Sequence, residues 1–247
     1  MTIYAFAGPS LPQADRRLFP GIVWLPPCEA GDLLRLSPRE SDRICMIDGW
    51  FDHRPAVRHK EILSVLSAGV EIFGSSSIGA LRAAEMEACG MMGVGRIFAG
   101  FRSGRLTGDD EVALVHGPEE WGWRPLSIPL VDVRATICHA VRAKAVRSDE
   151  ARMIIARAKS IHYVDRSWPL ILDHIRIGCE RLESLKIWLR REAVFQKRLD
   201  AHQCLREALR PSTHGAQLPE MIRTCFFEEL VRQCPPPDRT GGQRPDR

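Results

Sequence analysis

The sequence predicts an α/β protein: a parallel-sheet, Rossmann-like N-terminal part followed by a helical C-terminal part. Three observations carry this. Short apolar runs closed by Gly or Pro alternate with amphipathic stretches up to about residue 130. Beyond that point only helical periodicity remains. The 247 residues, 45% hydrophobic and 27% charged, suffice to bury a real core.

The runs come in order. IYAFAG at 3–8 reads as a buried strand stopped by Gly-Pro-Ser, and IVWLP at 22–26 as a second closed by two prolines. GDLLRL suits a short helix. RICMIDGWF at 43–51 is a third strand, running into Asp48-Gly49. AVRHKEILSVLSAG then places Val57, Ile62, Val65 and Leu66 at helical spacing, with Gly69 as its cap. VEIFG at 70–74 is a fourth strand, and SSSIGALRAAEMEACG starts as a loop and continues as a helix to Gly90. Strands alternating with helices argue for a parallel sheet covered on both faces. Ligands then sit beyond the carboxyl ends of the strands. Three loops leave those ends: Gly8-Pro9-Ser10, Asp48-Gly49 and Gly74–Gly79.

The C-terminal part reads as helices at LVDVRATICHAVRAKAV and DEARMIIARAKS, then one long helix or two stacked ones from Trp168 to Arg210. The domain boundaries expected are 1–130 for the core, 131–210 for the helical region and 211–247 for a mostly disordered tail, Pro- and Gly-rich from Pro235.

Composition excludes several classes. The longest apolar stretches are far too short to span a bilayer, and the start MTIYAFAGPS lacks the basic and apolar regions of a signal peptide. A soluble cytoplasmic protein is expected, with no membrane role. Only five of the 35 Lys and Arg residues are lysine, but a net charge of +4 over the whole chain is too weak to indicate nucleic-acid binding. The eight cysteines make no CxxC pair and no zinc-ligand spacing, so no metal is expected. GVG at 93–95 lacks the third glycine and preceding strand of a dinucleotide fingerprint, and no cofactor is expected.

The strongest local signal is FGSSSIGALRAAE: a strand, Gly74, Ser75, Ser76, Ser77, Ile78, Gly79, then a helix. Helix N-termini offer free N–H groups to a phosphate, carboxylate or oxyanion, so Ser77 is a candidate nucleophile or anion ligand. Equally, the serines could simply cap the helix. It is neither a GxSxG elbow nor a Walker loop. Asp48 at a strand end and His59 at the next helix start are a second constellation, with Lys60 and Glu61 beside them; a His near a carboxylate suits a general base. Solvated surface positions are the alternative for this His-Lys-Glu triplet. Arg82 and Glu85, three apart on the Gly-Ser helix, either pair with each other or lend Arg82 to an anionic ligand. Asp109 and Asp110 either bind a basic group or metal, or cap the helix at Glu111. His53, His116 and His139 have no ligand-like spacing.

The ordered segments AGPS, PPCEAGD, ICMIDGWF, PAVRHKEIL, GSSSIGALRAAEM, GMMGVG, GDDEVALVHG and PLVDVR, over about residues 3–135, resemble the TfuA-like protein family, named from trifolitoxin biosynthesis. The resemblance implies an accessory protein of a YcaO enzyme in backbone thioamidation of ribosomal peptides. It would supply sulfide by hydrolysing a thiocarboxylated, ThiS-like sulfur carrier protein, with the precursor peptide a further candidate partner. Asp48, His59, Lys60, Glu61, Ser77, Gly79, Arg82, Glu85, Asp109, Asp110 and Glu111 fall on the family's strong positions. This chain departs from the pattern at Ser75 and Ser76, where smaller residues are usual, at Ile78 in place of Met, and at Asp132 in place of Asn. The combined expectation is a catalytic set of Ser77, His59 and Asp48, with Gly74, Ser75, Ser76, Gly79, Lys60, Glu61, Arg82, Glu85, Asp109 and Asp110 binding substrate. Two other classes stay open: a non-catalytic adaptor that binds and activates YcaO, and a phosphate- or nucleotide-binding protein.

Overall fold

The computed structural model describes residues 1–50, 54–211 and 219–235. Phe51 at the expected strand end, His53 and the tail beyond Pro235 lie outside the described residues. The first half follows the alternation in the sequence. Strands β1 (Ile3–Phe6), β2 (Ile22–Leu25), β3 (Arg43–Met46), β4 (Glu71–Gly74) and β5 (Met92–Gly93) form one sheet in the order β2-β1-β3-β4-β5, every pair parallel. Between them run α1 (Gln13–Arg16), α2 (Asp32–Leu36), α3 (His59–Ser67) and α4 (Ile78–Met86), and α5 (Arg96–Arg102) follows β5. The chain goes from β1 outward to β2, then crosses back past β1 to β3. That reversal makes a topological switch point between β1 and β3, where doubly wound sheets bind their ligands.

Strand residues alternate between two cores, as a period of two requires. Phe6, Ile44, Met46 and Ile72 face α2–α5, packing on Leu33, Ile62, Val65, Ala80, Ala83 and Ile97. Ile3, Ala5, Cys45, Ile47 and Phe73 face the other way, onto Ala201, Cys204, Leu205 and Ala208. These last four belong to α10 (Gln196–Ala208) and are spaced i, i+3, i+4, i+7, an apolar stripe. The second face of the sheet is thus covered by a helix from the far end of the chain.

The other C-terminal helices, α6 (Leu130–Arg142), α7 (Ser148–Ser160), α8 (Trp168–Leu172) and α9 (Cys179–Glu192), share a core of their own built on Leu130, Ile137, Ile154, Ile171 and Leu189. The stretch expected to be one or two helices from Trp168 is three. Residues 173–178, with His174 at φ 59 and Gly178 capping α9, break it first. Extended backbone at Ala193 breaks it again before α10, where Thr136 Oγ1 of α6 accepts the Val194 N–H at 2.9 Å. Within residues 219–235, α11 (Cys225–Gln233) buries Phe227 and Leu230 beside Leu34 of α2.

Two close approaches explain glycines in the signature loop. A Cβ on Gly79 would lie 1.8 Å from the Met46 carbonyl oxygen, and one on Gly74 2.2 Å from the Gly79 carbonyl oxygen. The start of α4 therefore touches the end of β3 backbone to backbone, and Ser75 N–H and Ser77 N–H donate to Met46 O (3.1 Å) and Ile47 O (3.2 Å). Gly79→Ala should cost about 3 kcal/mol or more, since backbone rather than a flexible side chain must give way. A thermal or urea melt indistinguishable from wild type would refute this reading of the contact.

Candidate functional site

β1 and β3 end side by side, and both chain exits turn at the switch point. Asp48, two residues past β3, is buried. Its Oδ2 accepts Gly8 N–H (2.8 Å) and Ser10 N–H (2.9 Å), and its Oδ1 accepts the Ser10 hydroxyl (2.6 Å). The loop after β1 thus folds onto the carboxylate and supplies its donors.

Ser77 is the N-cap residue of α4 and is buried. Its neighbour Ser76 is held at φ 63, an uncommon conformation for a residue with a Cβ, and its hydroxyl donates to the Lys197 carbonyl at 2.8 Å. Ser75 Oγ lies 3.2 Å from Ser76 Oγ. The serines are not capping the helix, since none of their side chains bonds its first turn.

Lys197 completes the group. Its ammonium nitrogen lies 3.1 Å from Ser77 Oγ, 2.8 Å from the Val112 carbonyl and 3.9 Å from Asp48 Oδ1. Burial pushes its pKa below the ordinary lysine value, against the pull of the Asp48 and Asp132 charges. A lysine of lowered pKa beside a serine hydroxyl is the arrangement that Ser–Lys nucleophile–base pairs use.

Lys197 is held by its helix. Asp132 Oδ1 on α6 accepts the Lys197 backbone N–H in the first turn of α10 (3.1 Å), and burial pushes Asp132 up to about 6. Asp200, one turn on, accepts Ile97 N–H at the start of α5 (2.8 Å) and the Gln196 side-chain amide (2.7 Å). At the far end, buried Arg43 of β3 donates to the Ala208 carbonyl (2.7 Å) and the Arg210 carbonyl, and pairs with Glu71 of β4 at 2.5 Å.

The segment 109–116 forms the roof. Glu111 takes a two-pronged pair from Arg134 (2.9 and 2.7 Å), and Asp110 meets Arg166, whose side chain is fully buried. Ser127 Oγ accepts Val115 N–H at 2.8 Å. These bonds hold Val112–His116 over Ser77. The enclosed space, about 90 Å³, is lined by Pro9, Asp48, Trp50, Ser77, Leu114 and Lys197 among others, and Trp50, His116 and Trp123 pack edge-on and tilted beside it.

The expected site residues separate into two groups. Asp48 and Ser77 meet through Lys197, with Gly74, Ser75, Ser76 and Gly79 shaping the loop. His59 does not join them: its Nε2 lies 2.7 Å from Glu85 Oε2, which also takes Arg82 Nη1 at 2.7 Å, and His59 is about half exposed. Lys60 donates to Thr224 Oγ1 (2.9 Å). Asp110 and Glu111 serve ion pairs, and with Asp109 they form a 3-10 turn rather than capping a helix. Among the described residues no group of three His, Cys, Asp or Glu is placed to hold a metal.

The sequence profile of a family described as TfuA-like protein matches residues 48–167. Residues 48–167 are thus a TfuA-like region. No curated protein matches the chain. The matched stretch holds Asp48, Ser77 and the roof, while Ser10 and Lys197 lie on either side of it. None of the described helices is long and apolar enough to cross a membrane.

Glu61, in the first turn of α3, is fully buried and accepts Gly31 N–H (2.6 Å) and Arg58 N–H (3.3 Å). Burial raises its pKa to about 7, outweighing those donors. The folded state therefore holds this proton more tightly than the unfolded chain. Stability from this group is fully present below about pH 4.5 and is lost as pH rises to about 7. At 1.36 kcal/mol per pKa unit, the loss between pH 5 and 8 is about 2 kcal/mol. Denaturant titrations of wild type and Glu61→Gln at both pH values should show the variant gaining that much on the wild type. A difference independent of pH would contradict it.

Proposed function

We propose that this protein hydrolyses the C-terminal thiocarboxylate of a ThiS-like sulfur carrier and supplies the sulfide to a YcaO enzyme that installs backbone thioamides. The observation that carries the reading is the 3.1 Å contact of Ser77 Oγ with the buried Lys197 amine, beside Asp48 in a cavity of about 90 Å³.

The residues divide the work as follows. Neutral Lys197 takes the Ser77 proton as Oγ bonds to the thiocarboxylate carbon. The resulting ammonium stabilises the tetrahedral oxyanion; the Ser77 N–H is committed to Ile47 O and Ser75 O. Collapse breaks the C–S bond, Lys197 returns the proton to sulfur, and HS⁻ leaves an acyl-Ser77. Water, deprotonated by Lys197, then cleaves the ester and regenerates the serine, giving carboxylate, HS⁻ and one proton per water consumed. Asp48 steadies the ammonium through both halves.

The test mixes the purified protein with thiocarboxylated carrier and follows sulfide. Wild type should release it, Ser77→Ala should release it at least about a hundredfold more slowly, and omitting the protein from a YcaO reaction should slow thioamidation when the carrier is the only sulfur source. Wild-type protein that releases no sulfide would refute the hydrolase. An unimpaired Ser77→Ala would refute the nucleophile and favour an adaptor role.

A further inference from the structure

The space around Ser77 is too small to hold more than the reacting end of a large substrate. At about 90 Å³ it is well below the ~300 Å³ at which ordinary ligand pockets begin, so it takes the reacting end alone. The rest of the substrate must lie elsewhere. A second pocket of about 350 Å³ opens next to it, and the two share Pro9, Leu114 and Lys197 as walls. The wall of the outer pocket is mostly apolar and stiff: Pro12, Pro125 and Pro129 join Pro9, and proline has no N–H to offer. Ser10, Ser127, Asp132 and Arg198 complete the polar lining with Lys197, so a thin chain lying along the prolines would bring its end to Lys197. Its mouth carries two large apolar side chains that the protein leaves in water, Leu126 at 56% and Phe195 at 57% exposure. Leu199, one turn along α10 from Phe195, is equally bare at 56%. Apolar side chains clustered at the mouth of a reaction channel are the anchors a protein partner uses.

We propose that the outer pocket is the entry track for the extended C-terminal tail of a protein substrate, and that Leu126 and Phe195 dock the folded body of that protein. This rests on the reading of Ser77 and Lys197 as a thiocarboxylate hydrolase and assigns that site its partner-reading half. The occupant is a small folded protein with an apolar surface patch and a flexible tail bearing the thiocarboxylate. A free small thioacid needs only the inner cavity.

The experiment compares two substrates on the same enzyme: thiocarboxylated ThiS-like carrier and thioacetate. Leu126→Ser and Phe195→Ser should each lower the ratio of kcat/KM for carrier to that for thioacetate by about tenfold or more, through KM for the carrier. Phe195 stands at the start of the helix that carries Lys197, so Leu126→Ser, on a loop, and Leu199→Ser decide the matter if Phe195→Ser misfolds. A ratio equal to wild type in Leu126→Ser and Leu199→Ser overturns the track while leaving the hydrolase intact. Loss of both substrates in equal measure, with a native melting profile, also overturns it. Wild-type protein that turns over neither substrate refutes the hydrolase reading itself.

Discussion

Lys197→Met is expected to lower sulfide release by about 10²–10⁴-fold, the range for a lost general base, while leaving the protein folded. Methionine fills the same buried space, and Asp48 keeps the three donors that Gly8 and Ser10 supply. Lys197→Arg should fail as well, because a guanidinium keeps its proton at any working pH. The two variants separate charge from proton transfer: a site that needed only a cation would accept arginine. The pH profile gives a second reading. Burial depresses the Lys197 pKa, so wild-type kcat should rise with pH through that lowered value, and the residual rate of Lys197→Met should not follow it. His59→Ala, in contrast, should release sulfide at close to the wild-type rate, since its partner is Glu85 on the outer side of α4. Full activity in Lys197→Met, or a hundredfold loss in His59→Ala, would put the catalytic base in the wrong place.

Strands β1–β4 were legible because each is an apolar run closed by a breaker, and the parallel arrangement follows from the helices between them. Asp48 and Ser77 could be placed from that alone, since both follow a strand directly. His59 could not. Ten residues separate it from Asp48, and its position depends on the path of that connection and on the rotation of α3, neither of which periodicity records. α1 has four residues and β5 two, too few to show any period, and both were passed over. Lys197 was missed for another reason. The stretch QKRLDAHQCLREAL reads as an ordinary amphipathic helix, far along the chain from any strand end. Yet a signal was present. Extending the stripe Ala201, Cys204, Leu205 and Ala208 back by one turn lands on Lys197, so one of only five lysines stands on a buried face. A cation in the apolar stripe of a helix is an anomaly that must be paired or functional. What the sequence could not supply was the pairing itself, because residues 48, 77 and 197 come together only when α10 closes the second face of the sheet.

Asp48→Asn should move the midpoint of the pH–rate profile to lower pH without unfolding the protein. The sign follows from the charges around Lys197. Burial depresses its pKa, and the Asp48 carboxylate is the larger of the two charges that oppose the depression. Removing that charge leaves desolvation less opposed, so the amine loses its proton at a lower pH. Asparagine suits the test because the hydrogen bonds survive. Its amide oxygen can accept the Gly8 and Ser10 N–H groups now on Oδ2, and its NH₂ can donate to the Ser10 hydroxyl, which turns to accept. Asp48→Ala removes the charge and the acceptors together. Two buried N–H groups, a hydroxyl and a lysine then lose their partner, a loss of about 3–5 kcal/mol of stability by analogy with broken buried pairs. Sulfide release from pH 6 to 10 measures the first variant and urea denaturation the second. A midpoint that stays put or moves upward in Asp48→Asn would mean that Asp48 does not set the charge state of Lys197, and Asp48→Ala as stable as wild type would remove its structural role too.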